Sequence, residues 1–187
     1  MLILIVFVER FTHSPRPDDV RMHEIGHNLG LGHSGDEATT LDSSFVEYAD
    51  ISGYMGYSLE GKINTKKCFN AAKMVELGWH ASKIVSINPE SNGEFDGKVI
   101  GVNDYGVATS DYTLAIEIRN PDDISNTLYL TYNKAEGINK DTGSGPNKIR
   151  LVKGSPGMPS LLVASLCSTI GRDQCVIESF LSDFRYA

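Results

Sequence analysis

The feature that constrains this chain most is a short segment with three regularly spaced histidines. Residues 23–33 read HEIGHNLGLGH, which is the pattern H-E-x-x-H-x-x-G-x-x-H. Side chains four positions apart lie on the same face of a helix, so His23 and His27 can bind a single zinc ion. Glu24 lies one step round that helix, within reach of a water bound to the metal. The segment therefore predicts a zinc-binding helix with an acid–base residue beside it.

The second half of the segment predicts a sharp end to that helix. Gly30 can adopt backbone angles closed to other residues, which lets the chain turn back on itself. His33 then becomes the third ligand, and the fourth zinc position stays open for water or substrate. A structural zinc site would close that position, usually with cysteine, and none of the three cysteines lies near His33 in sequence. The pattern favours a catalytic zinc site over a structural one.

The composition excludes one class of partner. The chain has 187 residues and a net charge of −7, with 41% hydrophobic and 22% charged residues. This is the composition of an ordinary soluble protein, long enough for one large domain or two small ones. Binding to nucleic-acid phosphates needs a basic face, so no nucleic-acid partner is expected.

The chain opens with an apolar run, residues 1–8, that reads MLILIVFV. Eight apolar residues are too few to span a bilayer, so no membrane span is expected. The run has neither the positive residue nor the cleavage site of a convincing signal peptide. We expect a buried strand here, and a remnant of a signal peptide is the alternative.

The three cysteines leave two interpretations open. Cys167 and Cys175 are close in sequence and could form a disulfide, which would leave Cys68 unpaired. Alternatively, all three are reduced, buried thiols.

Before residue 82 the sequence predicts two helices separated by a polar loop. Helix caps, apolar positions at helical spacing and a terminating glycine indicate them. The predicted elements are a helix over 20–31 after Asp18 or Asp19, a loop over 34–52, and a helix over 66–77 that begins after Asn64 or Thr65 and ends at Gly78.

From about residue 82 short apolar runs alternate with turn-forming residues. Clusters of glycine, proline, asparagine and aspartate separate the runs, as at 120–123 and 143–146. This spacing of strands is typical of an antiparallel β-sandwich. The fold class is therefore α+β, with a first domain over 1–81 and a β-rich domain over 82–187. The predicted strands are 83–87, 98–102, 112–118, 127–132, 148–152, 161–166 and 175–180.

A methionine and a tyrosine follow the zinc motif in the polar loop region. Met55 lies in the segment GYMGY, and Tyr57 follows it by two positions. The segment resembles the methionine turn of the metzincins, the zinc proteases that share the elongated histidine motif. By that resemblance Met55 is a hydrophobic floor beneath the three imidazoles. Tyr57 would donate a hydrogen bond to the oxyanion of the reaction.

Several segments together resemble the gametolysin family of metzincin-type zinc peptidases. They are HEIGHNLGLGHS, YMGYS, CFNAAK, LGW and YNKAEGIN, and they extend the resemblance from about residue 20 to about residue 170. The resemblance implies that His23, His27 and His33 bind Zn²⁺ and that Glu24 is the general base. It also implies a metzincin-like domain with a zinc helix, a methionine turn and a second helix, followed by the sandwich.

The chain departs from the family at its start. Only 22 residues precede His23, whereas family catalytic domains carry a long region before the zinc helix. The expectation is an N-terminally truncated member, in which one strand at most comes from residues 2–8.

The predicted function is that of a zinc metalloendopeptidase. A zinc-bound water and Glu24 would hydrolyse peptide bonds in extracellular or cell-wall proteins, including cell-wall glycoproteins, and secretion is implied by family resemblance alone. The alternative is an inactive truncated remnant whose β-rich C-terminal half acts as a binding module.

Overall fold

The computed structural model describes seven stretches of the chain. They are residues 18–36, 46–57, 65–88, 95–107, 111–119, 123 and 127–166. The predictions for residues 2–8, for the strand at 175–180 and for pairing of Cys167 with Cys175 lie outside these residues. Cys68 is a free thiol. No helix in the described part of the chain is long and apolar enough to cross a membrane.

Two helices and six strands form the described structure, a mixed α+β arrangement. Three short 3-10 helices at 81–83, 102–104 and 137–139 link some of them. The main elements are α1 (Asp18–Asn28), β1 (Ser34–Asp36), α2 (Ala71–Glu76), β2 (Ile84–Ile87), β3 (Ala115–Ile118), β4 (Leu128–Asn133), β5 (Lys148–Lys153) and β6 (Ser160–Leu166).

The six strands form one mixed sheet in the order β1-β6-β5-β4-β3-β2. The two outer pairs, β1 with β6 and β2 with β3, are parallel, and the three inner pairs are antiparallel. Successive strand residues point to opposite faces. On one face Tyr129 and Val152 pack with α2, and on the other Leu130 and Leu151 belong to a second apolar core.

Five predicted strands are present as β2 to β6, and their ends differ from the prediction by at most three residues. The prediction of a further strand over residues 98–102 is wrong. Only Val99 forms a bridge, to Thr113, because the chain turns at Gly101 into a 3-10 helix.

The described strands form one sheet, so the two-sheet sandwich is not confirmed. Parallel pairing of β2 with β3 departs from the expected antiparallel order, because the connection over 88–114 is long enough to cross over.

Both predicted helices are present, but each is shorter than expected. The helix α1 begins at Asp18 and ends at Asn28. The helix α2 begins only after Asn70, whose side chain accepts a hydrogen bond from the Lys73 backbone N–H. Asn64 or Thr65 as its cap is therefore wrong. Gly78, with φ +68°, follows the end of α2 as predicted.

The strand β1 lies in a segment predicted to be a loop. Its sequence, Ser-Gly-Asp, has no preference for a strand. It forms because β6, more than a hundred residues later, pairs with it from Ser34↔Ser160 to Asp36↔Leu162.

Two features join residues on either side of the predicted domain boundary at 81/82. The first is this pairing of β1 with β6. The second is an ion pair of 3.0 Å between Asp50 and Arg150, whose side chains are both almost fully buried. The division of the chain into two domains stays a prediction.

A cluster of buried polar side chains lies where α2, β1 and β6 meet. The Asn70 amide nitrogen lies 3.0–3.1 Å from Ser34 Oγ, Asp50 Oδ2 and Ser160 Oγ. All four side chains are buried. Asn70 thus serves two purposes: its oxygen caps α2, and its amide hydrogens satisfy acceptors that water cannot reach.

Replacing Asn70 by serine separates these two purposes. Serine can still cap the helix, but it has no amide hydrogens to offer the cluster. We expect Asn70→Ser to lower the free energy of unfolding by about 2–4 kcal/mol, since each buried acceptor left unpaired costs about 1–3 kcal/mol. Urea denaturation measures this change. A loss of less than about 0.5 kcal/mol would mean that only the cap matters.

Candidate metal centre

The first two histidines of the motif share one face of α1, and a sharp turn brings the third to them. The turn is a Schellman motif: Leu31 N–H donates to the Gly26 carbonyl at 3.0 Å, and Gly30 N–H donates to the His27 carbonyl at 2.9 Å. Gly30 has φ +90°, in the region that favours glycine. His33 follows the turn and lies directly before β1.

The ring nitrogens of the three histidines converge on one point. His27 Nε2 lies 3.1 Å from His23 Nε2 and 3.0 Å from His33 Nε2. One ring nitrogen from each residue lies within 4.8 Å of the other two. A zinc ion bound tetrahedrally at about 2.0–2.1 Å from each nitrogen would place them about 3.3 Å apart. The spacing therefore fits a metal ion of this size.

The other nitrogen of each ring contacts an oxygen acceptor. His23 Nδ1 lies 2.8 Å from the Tyr54 carbonyl, and His27 Nδ1 lies 2.9 Å from the Leu31 carbonyl. His33 Nδ1 lies 2.6 Å from the carboxylate of Glu47. An acceptor at Nδ1 places the proton there, which leaves Nε2 with a lone pair.

Three lone pairs that face one another at this distance repel each other. A cation between them removes the repulsion, and imidazole nitrogens are ligands that zinc prefers. The residues present therefore fit a zinc ion. Burial supports the same state at His23, since desolvation lowers its pKa from the ordinary value against the raising effect of the Tyr54 carbonyl.

Glu24 lies on α1 beside His23 and is exposed. The chain therefore carries an accessible carboxylate directly after the first of the three histidines.

Met55 packs against α1 and is 1% exposed. A β-carbon added to Gly26 would overlap Met55 Sδ and would lie 3.2 Å from the Phe69 ring. The Met55 carbonyl also accepts a hydrogen bond of 2.8 Å from Ser34 N–H, one residue after His33. Gly26 therefore lets α1 approach the methionine closely.

Tyr57 does not directly contact the three histidines in the described contacts. Its side chain is 58% exposed, and its ring lies 4.9 Å from the ring of Tyr48. Tyr48 lies between it and the site, 4.2 Å from the ring of His33 and 6.1 Å from that of His23.

Nothing in the sequence indicated two residues at the site, Glu47 and Tyr48. Glu47 contacts Nδ1 of His33, and Tyr48 packs on the ring of the same histidine. Burial, with the charge of Glu47, raises the pKa of Tyr48 above its ordinary value. Both belong to a loop without periodicity, so no spacing rule links them to the motif.

Cys68 does not belong to the group of described residues whose ligand atoms converge. Burial raises the pKa of its thiol to about 12. It lies beside Asn139, whose side-chain oxygen accepts a hydrogen bond from the Cys68 backbone N–H at 3.0 Å.

A comparison with protein-family models finds a match, described as Gametolysin peptidase M11, over residues 3–105. The chain belongs to the gametolysin peptidase family. The resemblance inferred from the sequence is thereby confirmed, and protein substrates follow from membership of a family of metallopeptidases. The match contains the three histidines and Met55, and it ends before β3. No curated protein and no solved structure matches the chain.

The close approach of Gly26 to Met55 can be tested by a double-mutant cycle. We expect Gly26→Ala to lower the free energy of unfolding by about 1–3 kcal/mol, because the added methyl group overlaps the Met55 side chain. In a Met55→Ala background the same change should cost less, since the overlapping sulfur is gone. Thermal or urea unfolding of the four variants measures the coupling. Equal costs in both backgrounds would contradict this packing.

Proposed function

We propose that this gametolysin-family chain is a zinc metalloendopeptidase that acts on extracellular or cell-wall proteins. In this proposal His23, His27 and His33 bind the zinc ion. The observation that carries it is the convergence of three Nε2 atoms, each on a ring whose Nδ1 has its own acceptor. The extracellular substrate class rests on the family resemblance.

Zinc at such a site supplies Lewis acidity, which polarises a peptide carbonyl and lowers the pKa of water towards about 7. The chain supplies the remaining chemistry. The Tyr54 and Leu31 carbonyls and Glu47 each contact Nδ1 of one imidazole and so orient the three rings. The helix face beside His23 presents Glu24 to solvent, where a substrate can approach.

In this mechanism Glu24 is the general base. Its carboxylate accepts a proton from the attacking water and then passes that proton to the departing amine. The exposed position of Glu24, directly after His23 on α1, supports this role.

Tyr57 is the proposed donor to the oxygen of the peptide carbonyl as negative charge develops there. Its phenol is exposed, and its ring lies 4.9 Å from the ring of Tyr48, which in turn lies 4.2 Å from the ring of His33.

The role of Glu24 is tested by Glu24→Gln. We expect zinc content to stay at the wild-type level and kcat for cleavage of gelatin to fall by about 10²–10⁴-fold, because the proton acceptor is lost. Metal analysis and a fluorescent gelatin assay measure the two quantities. Glu136→Gln, an exposed change after β4, is the matched control, and His27→Ala, which removes a ligand, should lower the zinc content. Full activity in Glu24→Gln would overturn the assignment.

The two tyrosines are distinguished by removing one hydroxyl at a time. We expect Tyr57→Phe to lower kcat by about 10²-fold with little change in KM, as for a donor to an oxyanion. Tyr48→Phe keeps its ring against His33 and should retain near-wild-type kcat. The reverse order of the two effects would assign the donor role to Tyr48.

A further inference from the structure

We propose that Arg150 of β5 is a positioning residue for His33 and acts on it through the buried carboxylate of Asp50. The inference rests on the proposed zinc site. Arg150 lies outside the residues matched by the family model, which end at 105.

His33 differs from the other two histidines in how it is held. His23 and His27 lie on α1, whose own hydrogen bonds fix their spacing. His33 follows the Schellman turn, so contacts from elsewhere in the chain fix its position. Its carbonyl accepts a hydrogen bond of 2.9 Å from Ser160 N–H, in β6.

The ring of His33 is held by the loop over residues 46–57. Glu47 contacts its Nδ1 at 2.6 Å, and the ring of Tyr48 lies 4.2 Å away. Asp50, two residues further on, is joined to the histidine segment by a hydrogen bond of 3.2 Å from its N–H to the Ser34 carbonyl. The position of this loop therefore decides the position of the third ligand.

Asp50 holds the loop in place from the inside. Its side chain is 0% exposed, and its carboxylate accepts hydrogen bonds from Ser52 Oγ at 2.5 Å and from the Asn70 amide at 3.1 Å. A buried carboxylate also needs a positive charge beside it. The guanidinium of Arg150 supplies that charge, with Nη2 at 3.0 Å from Asp50 Oδ1.

Arg150 depends on the same pair. Its side chain is 3% exposed, and its other contacts are to the hydroxyls of Ser144 and Ser165. Neither hydroxyl carries a compensating charge. Within the described residues its Nε has no hydrogen-bond partner. The buried guanidinium is thus held by its ion pair with Asp50.

The segment just before β5 supports the loop as well. Gly143 N–H donates to the Ile51 carbonyl at 3.0 Å, and Thr142 Oγ1 donates to the Ser52 carbonyl at 3.0 Å. These bonds flank the ion pair on the loop side. Contacts from residues 142–150 therefore fix the loop over residues 46–57, which in turn contacts the ring of His33.

The test is a double-mutant cycle between Arg150→Met and His33→Ala, with zinc affinity as the readout. Competition with a chelator of known affinity measures the zinc dissociation constant of the four proteins. We expect Arg150→Met to weaken zinc binding by about 10–100-fold, the usual effect of losing a partner that orients a ligand. In the His33→Ala background, where two ligands remain, we expect the same change to have less than about a threefold effect.

Two further variants test whether loss of folding explains the weaker zinc binding. Arg150→Met leaves Asp50 buried without a counter-charge, so the cycle is repeated with Asp50→Asn/Arg150→Met, which leaves no unpaired charge. The part of the loss in zinc affinity that depends on His33 should persist in this double variant. Arg150→Lys keeps the positive charge and should bind zinc more tightly than Arg150→Met. Lys134→Met is the control, because it breaks an ion pair with Asp104 in the same half of the chain and should leave zinc affinity unchanged.

The outcomes separate this inference from the proposed function. A wild-type chain that does not bind zinc would overturn the metal site and the inference together. A wild-type chain that binds zinc, with equal losses from Arg150→Met in both backgrounds, would overturn the inference alone. A loss confined to the background that retains His33 supports it.

Discussion

The buried carboxylate of Asp50 determines how the parts of this structure fit together. An ionised carboxylate without water is strongly unfavourable unless a counter-charge and hydrogen-bond donors surround it. Arg150 meets it from β5, and Asn70 meets it from the start of α2. The loop with Met55, the second helix and the sheet are thereby brought to one place, because an arrangement that separates them leaves the charge unpaired.

The histidine cluster depends on the same arrangement for its outer contacts. Each Nδ1 has an acceptor, and the three acceptors come from different places: the turn after α1 for His27, the methionine segment for His23, and Glu47 for His33. Two of these three lie on the loop that Asp50 anchors. The helix supplies the spacing of two ligands, whereas the loop fixes the orientation of two rings. The histidine motif and a buried ion pair, whose Arg150 lies outside the matched region, are thus connected by one loop.

Much of the local structure could be predicted from the sequence, and the failures have a common cause. The helix α1, the turn at Gly30 and the strands β2 to β6 follow from periodicity and turn residues, which are local signals. The strand β1 has no such signal and exists only because β6 lies beside it. Asn70 was not identified as the cap of α2, since its importance comes from the buried groups around it. Parallel pairing of β2 and β3 depends on where a long connection returns the chain, which periodicity does not record.

By itself the sequence determined the family and the candidate ligands, because the spacing of His23, His27 and His33 is set within one helix and one turn. It also predicted roles for Glu24 and Met55 from their positions relative to the motif. Only the tertiary structure decided what orients the rings and what supports the site. Glu47 and Tyr48 on His33, Gly26 against Met55, and Arg150 against Asp50 are contacts between distant or non-periodic segments. Such contacts arise from burial and charge pairing in three dimensions, and no spacing along the chain specifies them.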